Sequence, residues 1–178
     1  MKDPLRIFGI DPGTATTGYG VLDYTSGSSF AYITSGIVQT GKDLPMPERL
    51  KMIRADMLSL LEEYEPDIVS VEQIFFFKNA KTLVPVAQSR GVILEAAASL
   101  GLDVAEYTPM QVKLNLTGFG KADKKVVQFT VAKLLGHDEV IKPDDASDAL
   151  ALAICHARAC LTGLLCQNHP LSNADKKK

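Results

Sequence analysis

The chain of 178 residues has no apolar run close to the roughly 20 residues that a membrane-spanning helix needs. Its first residues lack the pattern of a signal peptide. It has only three cysteines, Cys155, Cys160 and Cys166, and their spacings match no zinc or redox motif. We therefore expect a cytoplasmic protein without membrane contact, whose thiols are reduced and mostly buried.

The composition is typical of a globular protein, with 46% hydrophobic and 22% charged residues. The length suits one domain with a substantial core, and the sequence has no internal repeats. We predict a single domain over residues 1–165, followed by a polar, disordered tail over residues 166–178.

The net charge of −2 hides an uneven distribution of charge along the chain. Between Lys78 and Lys133 there are eight bases and four acids, a net charge of +4, which leaves −6 for the rest. An acidic centre beside a basic stripe is the arrangement expected of an enzyme that binds and cleaves phosphodiesters. For any single lysine, an ordinary solvated surface position remains the alternative.

Apolar segments and turn residues predict an α/β domain, a mixed five-stranded sheet flanked by helices. We predict strands over 5–10, 18–24, 30–39, 67–72 and 104–107, and helices over 47–65, 124–135 and 144–164. A further helix carries Val86, Ile93 and Leu94, and because an interior proline kinks a helix, we expect its regular part to begin near Pro85. The predicted order is βββαβαβαα.

Four carboxylates stand at the ends of apolar segments. Asp11 closes the first strand and Glu72 the fourth, while Asp145 and Asp148 lie three residues apart on one face of the last helix. If these segments pack side by side, the acids meet at one rim of the sheet, where their mutual repulsion calls for cations. Oxygen ligands favour Mg²⁺ or Mn²⁺, and two such ions can stabilise both oxygens of a phosphodiester displacement. The pattern predicts a nuclease.

Three of the acids also have a structural alternative. Asp145 could cap its helix, Asp11 could serve the turn that follows it, and Glu72 could lie on the surface. Gly13 and Gly18, in the segment after Asp11, permit tight geometry and close approach of a ligand.

Residues near the acids predict contacts with DNA. Three consecutive aromatics, Phe75, Phe76 and Phe77, cannot all face one core, so at least one is expected to be exposed and to stack on a base, unless they cover a helix or an interface. Lys78 behind them can hold phosphate. The segment 117–125 predicts a mobile glycine loop that leads into a basic helix start, where Lys121 and Lys124 suit a phosphate backbone. An ordinary loop is the alternative.

Together these motifs resemble the RuvC family of crossover junction endodeoxyribonucleases, the Holliday junction resolvases, over about residues 7–157. The motifs are Gly9-Ile10-Asp11-Pro12-Gly13, Gly18-Tyr19-Gly20-Val21, Val71-Glu72-Gln73, Lys78-Asn79-Ala80, Gln88-Ser89-Arg90-Gly91 and Asp145-Ala146-Ser147-Asp148-Ala149-Leu150-Ala151. The resemblance implies an RNase H-like fold. It also implies a homodimer that resolves four-way DNA junctions in recombination and repair, by paired symmetric nicks that leave 5′-phosphates.

The resemblance also implies roles for particular residues. Asp11, Glu72, Asp145 and Asp148 would be the catalytic residues and would hold Mg²⁺, or Mn²⁺, as two ions in each site. Phe75 matches the family's phenylalanine at the junction crossover, and Phe76 could share that role. Lys113 and Lys124 match basic residues that contact DNA near the scissile phosphate. The implied partner is a branch-migration motor.

Two interpretations from other classes remain open. Asp11-Pro12-Gly13-Thr14 could be the phosphate turn of an actin-like sugar kinase or ATPase, but that family needs a second such domain, for which 178 residues leave no room. A DNA-binding module without activity would have little reason to cluster four acids.

Overall fold

In the computed structural model, which describes residues 4–27, 29–74 and 80–161, five strands form one mixed sheet in the order β3-β2-β1-β4-β5. The strands are β1 Leu5–Asp11, β2 Thr16–Ser26, β3 Ser29–Gln39, β4 Ile68–Glu72 and β5 Asp103–Tyr107. β1 pairs antiparallel with β2, and β2 with β3, whereas β1, β4 and β5 run parallel. β1 is therefore the central strand, and its carboxyl end lies beside that of β4.

Five helices in the described residues cover both faces of this sheet. They are α1 Met46–Tyr64, α2 Ala80–Ser99, α3 Pro109–Thr117, α4 Lys124–Leu134 and α5 Asp144–Leu161. Consecutive residues of β1 enter opposite cores: Ile7 packs in the cluster with α3, α4 and α5, and Phe8 in the cluster with α1 and α2. Both side chains are fully buried. The fold is thus a three-layer α/β domain, in which alternate strand residues face opposite helical layers.

The sheet and the flanking helices confirm the predicted architecture, with two corrections. α2 begins at Ala80 and contains Pro85, so the expected start near Pro85 is wrong. A proline this close to the helix start removes only one early hydrogen bond, to the carbonyl of residue 81. The nine-residue helix α3 was not predicted, and the observed order is βββαβαβααα. The predicted domain boundary at residue 165 and the tail 166–178 lie outside the described residues.

Two of the three thiols, those of Cys155 and Cys160, lie in the described part of α5. Cys155 is buried, and this burial raises the pKa of its thiol to about 12. At neutral pH Cys155 is therefore a protonated, apolar core residue, as the sequence predicted. Among the helices of residues 4–27, 29–74 and 80–161, none is long and apolar enough to cross a membrane.

Candidate active site

Three of the four predicted acids line one cavity at the carboxyl ends of the parallel strands. Asp11 is the last residue of β1 and Glu72 the last of β4, and these two strands pair directly. Asp148 reaches the same place from the first turns of α5. The cavity has a volume of about 230 Å³ and is lined by Asp11, Glu72, Asp148, Lys113 and Lys124 together with an apolar wall. The fold thus gathers acids that are distant in the sequence.

Small residues in β1 and β2 allow α5 to lie directly on the sheet. A methyl group at Gly9 would overlap the carbonyl oxygen of Ala149, and one at Gly18 would overlap that of Asp145. Gly18 is also the residue that pairs with Asp11 across β1 and β2. Close approach of backbone atoms is possible only where a side chain is missing. Gly18 therefore admits the start of the acid-bearing helix, rather than a ligand as the sequence suggested.

The three carboxylates in the cavity all have raised pKa values. Burial, followed by the charges of Glu72, Asp148 and Asp145 in that order, raises the pKa of Asp11 to about 8. Burial is also the main cause for Glu72, followed by the charge of Asp148. The pKa of Asp148 is raised by burial in spite of its contact with Lys124. Neighbouring acids that repel one another in a partly dry cavity are stabilised by a bound cation.

Lys124 supplies one positive charge to this cluster. Its Nζ atom lies 2.7 Å from Oδ2 of Asp148 and 3.7 Å from Oδ2 of Asp144. The hydrogen bond to Asp148 is the main cause of the raised pKa of Lys124. Lys124 is the first residue of α4, where the helix dipole disfavours a positive charge. The nearby acids, rather than the helix, account for a lysine at this position.

The donor set suits a hard divalent cation, because carboxylate oxygens are the ligands that such cations prefer. Within the described ranges, however, no three His, Cys, Asp or Glu side chains form a group that could hold a metal ion as they stand. The observed arrangement is the one in which Lys124 is the counter-ion of Asp148. The residues fit a divalent cation by their chemistry and their raised pKa values.

The remaining predicted residues fall into three groups. Asp145 is not among the residues that line the cavity, although its charge contributes to the raised pKa of Asp11 and Asp148. Lys121 is exposed on the turn before α4 and lies outside the cavity lining. Phe75, Phe76 and Lys78 lie outside the described residues.

The apolar wall of the cavity was not predicted from the sequence. It consists of Pro109, Val112, Val127, Ala151 and Leu152, contributed by α3, α4 and α5. The helix α3 has a clear start signal, because Thr108 and Gln111 form a capping box around Pro109 in the first turn. A Thr-x-x-Gln pattern of this kind marks a helix start in sequence, and it would have revealed this wall.

Comparisons with protein families, with curated proteins and with solved structures all indicate the same family. The family model described as "Crossover junction endodeoxyribonuclease RuvC" matches residues 7–156. A protein of that name from Syntrophomonas wolfei is 54% identical over 152 residues, 85% of this chain and 88% of the relative.

Two solved structures of RuvC from Thermus thermophilus are also similar. The first is 34% identical with a TM-score of 0.84 and covers 90% of this chain and 98% of that one. The second, in complex with a Holliday junction substrate, is 34% identical with a TM-score of 0.85 and covers 90% and 97%.

Proposed function

Because the chain belongs to the RuvC family of crossover junction endodeoxyribonucleases, we propose that Asp11, Glu72, Asp145 and Asp148 are the residues with which it cuts DNA. The chain has the RNase H-like fold and is an endodeoxyribonuclease that resolves Holliday junctions, with roles in recombination and repair. The observation that carries the residue assignment is the cavity in which Asp11, Glu72 and Asp148 face Lys113 and Lys124.

The four acids would act by holding divalent metal. We propose Mg²⁺, with Mn²⁺ as a substitute and two ions in each site, bound by the carboxylates of Asp11, Glu72 and Asp148, with Asp145 completing the set. When bound, the metal supplies positive charge for the attacking and leaving oxygens of the phosphodiester. The raised pKa values support this role, because a cation at the cavity would keep the acids ionised at neutral pH.

The lysines of the cavity would hold the phosphate. Lys113 and Lys124 line the same space as the acids, so a scissile phosphate bound there lies within reach of both ammonium groups. Lys124 would exchange Asp148 for the phosphate when metal and DNA bind. Outside the cavity, Lys121 would bind the DNA backbone, and we keep Phe75, Phe76 and Lys78 as proposed contacts near the junction crossover.

Paired nicks require two active sites that are related by symmetry. A four-way junction has an approximate two-fold axis, so a homodimer with the same symmetry would place one site at each of two opposed strands. We propose that α2 forms the dimer interface and that each cut leaves a 5′-phosphate. On α2, Val84 is 58% exposed although it is apolar, which supports an interface on this helix.

Several parts of the proposal concern the surroundings of the enzyme. A branch-migration motor that works on the same junctions is the proposed partner, and the cytoplasm, where its DNA substrate would be, is the proposed location. We also propose that residues 1–165 form the nuclease domain and that residues 166–178 are a tail outside it.

The test is cleavage of an end-labelled synthetic four-way junction, compared with a linear duplex of the same sequence. With Mg²⁺ the protein should make paired, symmetric nicks in the junction alone, and EDTA should abolish them. Asp148→Asn should bind the junction but fail to cut it. The matched control is Asp138→Asn, since the side chain of Asp138 is fully exposed and its contact with Lys133 is long, at 3.8 Å. Cutting by Asp148→Asn at the wild-type rate would overturn the assignment of the acids.

A further inference from the structure

Two adjacent residues of α2 contact the two segments that carry Asp11 and Glu72. The hydroxyl of Ser89 donates a hydrogen bond of 2.9 Å to the carbonyl oxygen of Gly13, two residues after Asp11. The Nε atom of Arg90 donates one of 3.1 Å to the carbonyl oxygen of Glu72 itself. One turn of one helix is thus bonded to the backbone at the ends of both β1 and β4.

The Arg90 side chain is largely buried, with 15% of its surface exposed. Burying a guanidinium is unfavourable unless charged or polar groups surround it. Its Nη2 atom lies 2.7 Å from Oε2 of Glu106 on β5. This contact is an ion pair without hydrogen-bond geometry, since Nη2 has no hydrogen-bond partner among the described residues. Glu106 pairs in register with Val71, the residue before Glu72. Arg90 therefore joins α2 to the ends of both β4 and β5.

Ser89 is also fully buried, and the carbonyl that it contacts is held from a second side. The hydroxyl of Thr17 donates a hydrogen bond of 2.7 Å to the same oxygen of Gly13. The turn between β1 and β2 is thus fixed by Thr17 from within and by Ser89 from the helix. The contacts of Ser89 and Arg90 are not the main attachment of α2 to the sheet, because Ile93, Ala96 and Ala97 of this helix pack in the core.

We propose that Ser89 and Arg90 are positioning residues for the acids of the active site. By fixing the backbone at Gly13 and Glu72, they set the distance between the carboxylates of Asp11 and Glu72, which must bind the same cation for cleavage. This inference rests on the proposed function of those acids. Groups that orient metal ligands typically change metal affinity or activity about 10-fold to 100-fold when they are removed.

A second ion pair, which joins α1 to α2, provides a matched control. Arg54 of α1 contacts Glu95 of α2, with Nε 2.7 Å from Oε2, and this pair is exposed. Like Arg90→Gln, Arg54→Gln removes an arginine that joins α2 to a neighbouring element. Unlike Arg90→Gln, it leaves the segments that carry Asp11 and Glu72 untouched. Loss of a general helix contact and loss of acid positioning can therefore be separated.

The experiment compares wild type, Arg90→Gln, Arg90→Lys, Ser89→Ala and Arg54→Gln. Single-turnover cleavage of a synthetic four-way junction gives the rate and the Mg²⁺ concentration for half the maximal rate. Junction affinity is measured in EDTA, and Mn²⁺ binding to the DNA-free protein is followed by electron paramagnetic resonance. Melting temperatures show which variants are folded.

We expect Arg90→Gln to lower the rate about 10-fold to 100-fold, to raise the Mg²⁺ requirement and to weaken Mn²⁺ binding, while junction affinity in EDTA stays within about twofold. Arg90→Lys should restore part of the rate, because a lysine keeps the charge but loses the fixed fork of donors. Ser89→Ala, which removes one hydroxyl, should change the rate and Mn²⁺ binding in the same direction by a smaller factor. Arg54→Gln should change both less than twofold.

Wild-type rates and Mn²⁺ binding in Ser89→Ala and Arg90→Gln would overturn the inference, as would an equal loss in Arg54→Gln. If Arg90→Gln does not fold, Ser89→Ala and Arg90→Lys decide the question by the same readouts. An inactive wild-type protein would instead contradict the proposed function, so the two failures can be told apart.

Discussion

The ammonium nitrogen of Lys124 lies 2.7 Å from Oδ2 of Asp148, within the cluster of acids that we propose as the catalytic set. The ammonium group of Lys124 therefore contacts a carboxylate that, in our proposal, holds the metal ion. If Asp148 binds the metal as we propose, the ammonium group and the metal ion compete for the same carboxylate, and the stability of the protein depends on which of them Asp148 contacts.

Lys124→Met should reduce cleavage about 100-fold, because a positive charge near the scissile phosphate is lost. The same change should lower the melting temperature in EDTA, since Asp148 loses its counter-ion, and should increase the gain in melting temperature on addition of Mg²⁺. Thermal melting with and without Mg²⁺ measures both effects. Lys133→Met is the control, because Lys133 contacts the exposed Asp138 at 3.8 Å, and it should show neither. An unchanged Mg²⁺ effect in Lys124→Met would contradict the competition.

Asp11→Asn should stabilise the metal-free protein at neutral pH. The pKa of Asp11 is raised from 3.8 to about 8, so the folded state binds its proton more tightly than the unfolded state. Wild-type stability should therefore fall, relative to Asp11→Asn, as the pH rises from about 4 to 8, and the loss should be complete above that range. We expect a difference of roughly 1–3 kcal/mol at pH 8 after solvent screening.

Urea unfolding in EDTA at pH 5 and pH 8 measures this difference for both proteins. Addition of Mg²⁺ should reverse the order at pH 8, because only the wild type keeps the full set of carboxylates. If wild type and Asp11→Asn differ in unfolding free energy by the same amount at pH 5 and at pH 8, the pKa of Asp11 is not raised.

Gly18→Ala should disturb the active site without changing any acid. The new methyl group would overlap the carbonyl group of Asp145, so the start of α5 must move away from β2. We expect a loss of about 1–3 kcal/mol in unfolding free energy and a strong loss of cleavage, because Asp145 and Asp148 move with the helix. Gly41→Ala is the control, since the nearest atom to its methyl would be a side-chain carbon of Leu44 at 3.4 Å. Chemical denaturation and junction cleavage measure the two effects, and wild-type cleavage by folded Gly18→Ala would contradict this account.

Lys113 and Lys121 should differ in what they contribute. Lys113 lines the cavity, so Lys113→Gln should lower the rate at saturating protein about 10-fold to 100-fold with little change in junction affinity. Lys121 is exposed outside the cavity, so Lys121→Gln should weaken binding and reduce the salt dependence of affinity by about one phosphate contact. Titrations at several salt concentrations and single-turnover rates separate the two. The same pattern in both variants would show that the cavity does not define the reacting phosphate.

The fold and most of the acid cluster could be predicted because they follow from local rules. β1 and β4 are apolar runs that end in an acid, and parallel neighbours place their carboxyl ends together. The contact of Lys124 with Asp148 could not be predicted, because it depends on how α4 and α5 pack. The role of Gly18 also depends on that packing, since a glycine in sequence does not show which element approaches it.

The two errors in the helices have different causes. The prediction of a helix start near Pro85 is wrong because it follows from the rule that a proline disfavours a helix interior, whereas α2 accommodates Pro85 close to its start. α3 was missed because its nine residues are short and amphipathic only in part, so that its capping residues Thr108 and Gln111 were its main signal.

The acid-bearing elements are spread along the chain, and α5 comes last in the described order. During synthesis on the ribosome, β1 and β4 leave the exit tunnel well before the residues that lie on top of them. A nascent chain with Asp11 and Glu72 but without α5 has neither Asp145 nor Asp148, and lacks the helix against which Gly9 and Gly18 pack. If the four acids act as we propose, an unfinished copy of the chain therefore lacks two of the carboxylates with which it would cut DNA.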